Sequence, residues 1–176
     1  MSDFLPEGYS VPEAVSRYTK FEKDKTTKFR ILEQEWDKTL HLYKEYFDVR
    51  GEKPKPIRSI KAFEETPGIK EGSRVKDMWS VKIWNYDTEN VQILSIGQVS
   101  IQRAIEAYCK EEEYGSPVNY DLKISRKWDG MNTEYSVVAL PPKEFDDSLL
   151  QWNDSTIDWV GFMECKTDIF KDIEDQ

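Results

Sequence analysis

The alternation from Met78 to Tyr86 constrains the fold of this chain more than any other feature of its sequence. Successive side chains of a strand point to opposite faces. Trp79, Val81 and Ile83 therefore share one face, and Met78, Ser80, Lys82, Trp84 and Tyr86 share the other. The first set is core material; the second places a lysine among aromatics and a thioether. After Gly97 the period changes. Ile101, Ala104, Ile105 and Tyr108 recur at helical spacing, which predicts an amphipathic helix over 98–111 with one buried stripe.

Other elements are read around these two. Tyr18 to Phe21 and Thr27 to Leu32 flank a charged turn and predict a hairpin. Thr39 to Val49 predicts a longer strand, closed by a basic, semi-rigid connection in which Lys53, Lys55 and Arg58 surround Pro54 and Pro56. Val91 to Ile96 follows the turn after Tyr86. Tyr120 to Arg126 and Thr133 to Ala139 make a last pair, joined through the Asp129-Gly130 turn signal. Residues 1–16 read as a lead-in with at most one helical turn at 12–15, residues 17–142 as the main domain and residues 143–176 as an acidic, partly apolar extension. The pattern fits two folds. One is a mainly β, five-stranded OB-type antiparallel barrel with one helix between the third and fourth main strands. The other is a general α+β sheet with one helix.

Charge is unevenly spread. The net charge is −9, yet residues 17–82 carry seventeen basic and twelve acidic side chains, whereas residues 141–176 carry three basic and ten acidic. A local basic field can steer a polyanion that the global sum would repel. Aromatic residues make up 13% of a chain that is 34% charged, a high share; most of them serve a core, and the excess suits base stacking. Cys109, Cys165 and the lone His41 have no metal-ligand spacing, so neither a metal nor a cofactor is expected and the thiols suit a reducing cytosol. Met1 to Leu5 lacks the basic run and apolar stretch of a secretion signal, and no stretch is long and apolar enough to span a membrane. The expectation is a cytoplasmic protein of a bacterial host cell.

Against this background several segments look familiar. Tyr18-Thr19-Lys20-Phe21 with Lys28-Phe29-Arg30-Ile31-Leu32 resembles the opening of phage and prophage single-stranded DNA-binding proteins. Pro56-Ile57-Arg58 resembles their Pro-x-Arg segment, and Met78 to Tyr86 their aromatic strand. Ile93 to Ile96, Gln98 and Ile101 to Ile105 are similar to the family's approach to its helix. Tyr114 to Pro117, Tyr120 to Ile124 and Asn132 to Val137 resemble its ending. The matches run in order over about residues 17–142.

The resemblance implies an OB fold and sequence-tolerant binding of single-stranded DNA in phage replication, repair or recombination. Aromatic faces stack on any base for about 1–3 kcal/mol each, and basic side chains neutralise phosphates. The candidates are Trp84, Tyr86 and Trp128 for stacking, and Lys20, Arg30, Lys53, Lys55, Arg58, Lys82 and Arg126 for phosphates. Each has a structural reading beside it. Trp84 and Tyr86 could pack under the extension or at an oligomer interface, Trp128 could be a lid over the barrel mouth, and Arg30 could be a salt-bridge partner. The family's zinc subdomain, which some phage single-strand binders carry, has no ligands here.

Leu149, Leu150, Trp152, Ile157, Trp159, Val160, Phe162 and Met163 are too apolar for a solvated tail and should dock on the barrel or another subunit. By analogy with other single-strand binders, Asp168, Ile169, Phe170, Asp172 and Ile173 are expected to recruit replication or recombination proteins and to compete with DNA for the basic groove. Nothing fixes the oligomeric state; a homo-oligomer is compatible. No nucleotide-binding or hydrolase motif is present, so an enzyme is not expected. The competing functions are an OB interaction module without a nucleic-acid role and a metal-dependent nuclease.

Overall fold

The structure, a computed structural model, describes residues 4, 16–35, 37–151 and 153–172. The expected helical turn at 12–15, Trp152 and Ile173 lie outside the described residues. The chain forms β1 (Thr26–Ile31), β2 (Leu40–Asp48), β3 (Lys55–Ser59), β4 (Lys76–Asn85), β5 (Asn90–Ile96), helix α1 (Val99–Lys110), β6 (Asp121–Trp128), β7 (Thr133–Ala139), β8 (Ser155–Ile157), short helix α2 (Trp159–Met163) and β9 (Phe170–Asp172).

Strands β1 to β7 form one antiparallel sheet in the order β3-β2-β4-β1-β6-β7, with β5 also paired to β4. β4 is the hub. Its first half pairs with β2 (Leu42 opposite Trp79) and its second half with β1 (Ile31 opposite Ile83), while β5 runs along its other edge. β8 and β9 form a separate two-stranded ribbon.

The sheet has seven strands and is not closed. Two expectations about it are corrected. The edge of β5 is occupied by the segment before β1: Thr19 donates its amide to the Ile93 carbonyl and Ile93 donates to that of Arg17, at 3.0 and 2.9 Å. The expected hairpin between 18–21 and 27–32 is therefore absent, because the first segment bridges β5 in parallel while β1 enters the sheet between β4 and β6. The second correction is that the basic connection after β2 is a strand. β3 tolerates Pro56 because it is an edge strand with only one side to pair.

The main core lies on one face of the sheet. Phe29, Ile31, Val81, Ile83, Leu94, Leu122 and Ile124 are buried there, and Ile101 and Ile105 of α1 close over them. This is the face expected from the alternation of β4 and from the helical stripe. Trp79 is half-buried against the same cluster.

The opposite face of β4 is buried too, under the C-terminal extension. Met78, Tyr43 and Ile93 pack with Ile157, Trp159, Phe162 and Ile169, while Trp84, Leu32 and Val91 pack with Phe145, Leu149 and Leu150. The extension is thus a second layer on the sheet, held by apolar burial.

Candidate nucleic-acid interface

An exposed aromatic side chain with basic neighbours lies at the tip of the β6–β7 hairpin. The turn forms because Gly130 takes a φ of +95°, which favours glycine, and because the Asp129 carboxylate accepts the amides of Met131 and Asn132 at 3.2 and 2.8 Å. Those hydrogen bonds hold the Asp129 carboxyl below its ordinary value. The turn leaves Trp128 46% exposed at the end of β6, with the Lys23 ammonium 4.3 Å from its ring centroid.

Beside Trp128 runs a groove of about 390 Å³ lined by Lys25, Ser125, Arg126, Lys127 and Glu134, among others. Arg126 is anchored through Nη1 to the Phe21 carbonyl at 3.0 Å, and its buried Nε has no hydrogen-bond partner among the described residues. Asp24 and Asp129 also line the groove, so its charge is mixed. An exposed indole with ammonium groups around it can stack a planar base and hold the adjoining anion.

The strand face singled out in the sequence is a different matter. Trp84 is 2% exposed beneath Phe145, Leu149 and Leu150, so its outward direction on β4 leads into the extension and not into solvent. Lys82 Nζ pairs with Asp154 of the extension at 3.0 Å. Arg58 donates Nε to Glu45 at 2.8 Å and Nη1 to the Phe162 carbonyl, with its guanidinium 4.1 Å from the Phe162 ring centroid. These three side chains are committed inside the chain as long as the extension is docked.

Arg30 is likewise held inside the chain. It is 1% exposed and donates Nε to Asp121 at 2.8 Å, Nη1 to the Val118 carbonyl and Nη2 to the Lys143 carbonyl. Tyr86 is half-buried, its hydroxyl donating to Asp121 at 2.8 Å. Burial, that hydrogen bond and the adjacent carboxylate push the phenol well above its usual range. Lys20, Lys53 and Lys55 are exposed. Lys53 and Lys55, however, belong to the β2–β3 end of the sheet, opposite the end that carries Trp128.

In the terminal segment, Ile169 is buried and the Phe170 ring lies under the Arg17 guanidinium at 4.5 Å. Asp172 pairs with Arg17 and accepts a hydrogen bond from Ser155, while Asp168 is exposed. Ile169 is thus packed within this chain, and Phe170 is half-buried in it.

Lys23, Lys25, Lys28, Lys123 and Lys127 were not singled out from the sequence. A signal existed for two of them: alternation along Tyr120 to Arg126 puts Lys123 on the face opposite Leu122 and Ile124, and Lys127 continues that row. Among the described residues no group of three or more His, Cys, Asp and Glu is placed to hold a metal ion, and no helix is long and apolar enough to cross a membrane. Compared with known proteins, the chain matches no family model, no curated protein and no solved structure.

Proposed function

We propose that this chain binds single-stranded DNA with little sequence preference, as a phage or prophage protein of DNA replication, repair or recombination. The observation that carries the reading is the exposed Trp128 at the rim of a groove with Lys23, Lys25, Arg126 and Lys127 around it. The ordered resemblance over residues 17–142 supports it. So does the strand order. Without the inserted β2–β3 hairpin, the sheet reads β5-β4-β1-β6-β7 with α1 between β5 and β6. In an OB fold, the β1–β4 connection and the β6–β7 hairpin would then be the two loops that border an oligonucleotide.

A protein-interaction module is the second reading. Leu42, Phe47 and Ile60 favour it, because they are exposed at 59%, 46% and 76% around the β2–β3 hairpin. Titration with a short oligothymidine at low and then raised salt, with a gel-shift assay in parallel, separates the two. Binding that weakens steeply with salt supports the single-strand reading. Failure to bind at low salt favours the interaction module, and magnesium-dependent loss of the oligonucleotide would point to a nuclease.

A further inference from the structure

We infer that the outer face of β1 and β6 is the phosphate track of the bound strand, with Lys28 and Lys123 as its paired cations; this rests on the single-strand reading. The two lysines are directly opposite in the β1–β6 register. Opposed residues of antiparallel strands share a face and lie close, so two like charges there destabilise the sheet. The next pair along the same face, Thr26 and Ser125, joins hydroxyls at 2.8 Å, which fixes the register and the direction of that face.

The charge of the lysines is not cancelled locally. Lys28 Nζ lies 3.9 Å from Asp121 Oδ2, but Arg30 and Lys143 approach the same carboxylate at 2.8 and 3.5 Å. One carboxylate thus faces three cations. Asp121 is fully buried, its Oδ2 accepting no hydrogen bond, so it anchors these cations without being open to a ligand. The Lys123 ammonium makes no ion pair or hydrogen bond among the described residues. Other acids near this face are Asp87, whose carboxylate accepts the Lys28 amide, Glu134, opposite Lys127 in the β6–β7 register, Asp146, whose charge raises the Tyr86 phenol, and Asp24 and Asp129 of the Trp128 groove.

Geometry joins this pair to the Trp128 groove. Lys123 and Lys127 share a face of β6, and at about 3.3 Å per residue they are roughly 13 Å apart along the strand. Thr26, Ser125 and Ser136 lie between, with small hydroxyl side chains that let a sugar–phosphate backbone come close. Lys28 also sits 4.6 Å from the Tyr86 ring centroid, which places an aromatic at the far end of the track. A like-charged lysine pair whose side chains are both partly exposed is the arrangement a polyanion would relieve.

The test compares full-length protein with Lys28→Gln/Lys123→Gln, with Lys28→Arg/Lys123→Arg, and with Lys61→Gln/Lys70→Gln as a control on the exposed β3–β4 connection. Oligothymidine affinity is measured across a salt series by anisotropy, and thermal unfolding is followed for each variant and for Lys123→Gln alone. The glutamine pair should weaken low-salt binding and flatten the slope of log K against log salt by about 1.4, roughly 0.7 per lost phosphate contact. The arginine pair and the control should keep the wild-type slope, and Lys123→Gln should melt no lower than wild type. Wild-type protein that binds while the glutamine pair keeps its affinity and slope would overturn the track alone. Wild-type protein that does not bind would overturn the single-strand reading as well.

Discussion

His41 and Trp159 stack with ring centroids 3.9 Å apart and planes 17° from parallel, tying β2 to the helix of the C-terminal extension. Trp159 is further fixed by its Nε1, which donates to the Gln34 side chain at 2.9 Å. Around this contact Tyr43 and Phe162 meet edge to face, and Arg58 bridges Glu45 to the Phe162 carbonyl. The extension is therefore built into the packing of β2 and β4, and its removal would bare a surface of aromatics and cations.

The stack has a pH signature. Burial pushes the His41 imidazole below its ordinary 6.5, and the nearby Asp37 carboxylate offsets only part of that. A histidine whose folded-state value is depressed contributes stability that is present above about pH 6.5 and is lost as pH falls through the folded value. His41 is the only histidine in the chain, so one proton NMR titration reads it directly. Its midpoint should lie below 6.5 and move back toward 6.5 in Trp159→Ala. The same substitution should cost about 3–5 kcal/mol in denaturant unfolding, the range for deleting a buried large aromatic.

Arg30 and Asp121 form a buried ion pair that the fold depends on. Burial alone would raise the Asp121 carboxyl, but hydrogen bonds from Tyr86 and Arg30 and the charges of Arg30 and Lys143 outweigh it and hold it below 3.8. The pair then contributes stability that is present above about pH 3.8 and is lost as the pH falls through the folded value. Asp121→Asn should cost about 3–5 kcal/mol at neutral pH, because it leaves a buried guanidinium uncompensated. It should also flatten the acid limb of the stability curve. Denaturant unfolding of wild type and variant between pH 3 and pH 7 checks both.

Removing residues 168–176 should loosen the cover on β4 and β5. Ile169 leaves the apolar cluster, and Arg17 loses Asp172 and the Phe170 ring. Oligothymidine binding at low salt should tighten as cations now held inside the chain become available. Unchanged affinity would count against competition between the extension and DNA.

What could be read from the sequence is what repeats locally. The two faces of β4 and the stripe of α1 follow from periods of two and 3.6, and Ile83 and Ile101 lie where those periods put them. β3 was obscured because Pro54 and Pro56 mark a connection, and only the pairing of Phe47 with Pro56 makes it a strand. Relationships between distant residues left no local trace. Arg30 finds its carboxylate 91 positions away, Lys82 finds Asp154 72 positions away, and Lys28 meets Lys123 only once the β1–β6 register is set. The period of β4 puts Trp84 on the face it occupies, but no periodicity says what covers that face.

Trp128 also makes a prediction of its own. Substitution by alanine should leave the melting temperature nearly unchanged, since the side chain is 46% exposed and outside the buried clusters. It should nonetheless weaken oligothymidine binding by about 1–3 kcal/mol, the value of one base–aromatic stack. A large fall in melting temperature would instead mark the indole as a structural lid.

The central claim is tested most directly by the fluorescence of Trp128 itself. Wild-type protein and Trp128→Phe are titrated with oligothymidine at low salt, and the titrations are repeated at raised salt. Quenching in wild type that fades steeply with salt and is largely lost in Trp128→Phe is the predicted result. Absence of quenching in wild type, with no shifted band in a parallel gel, would contradict it.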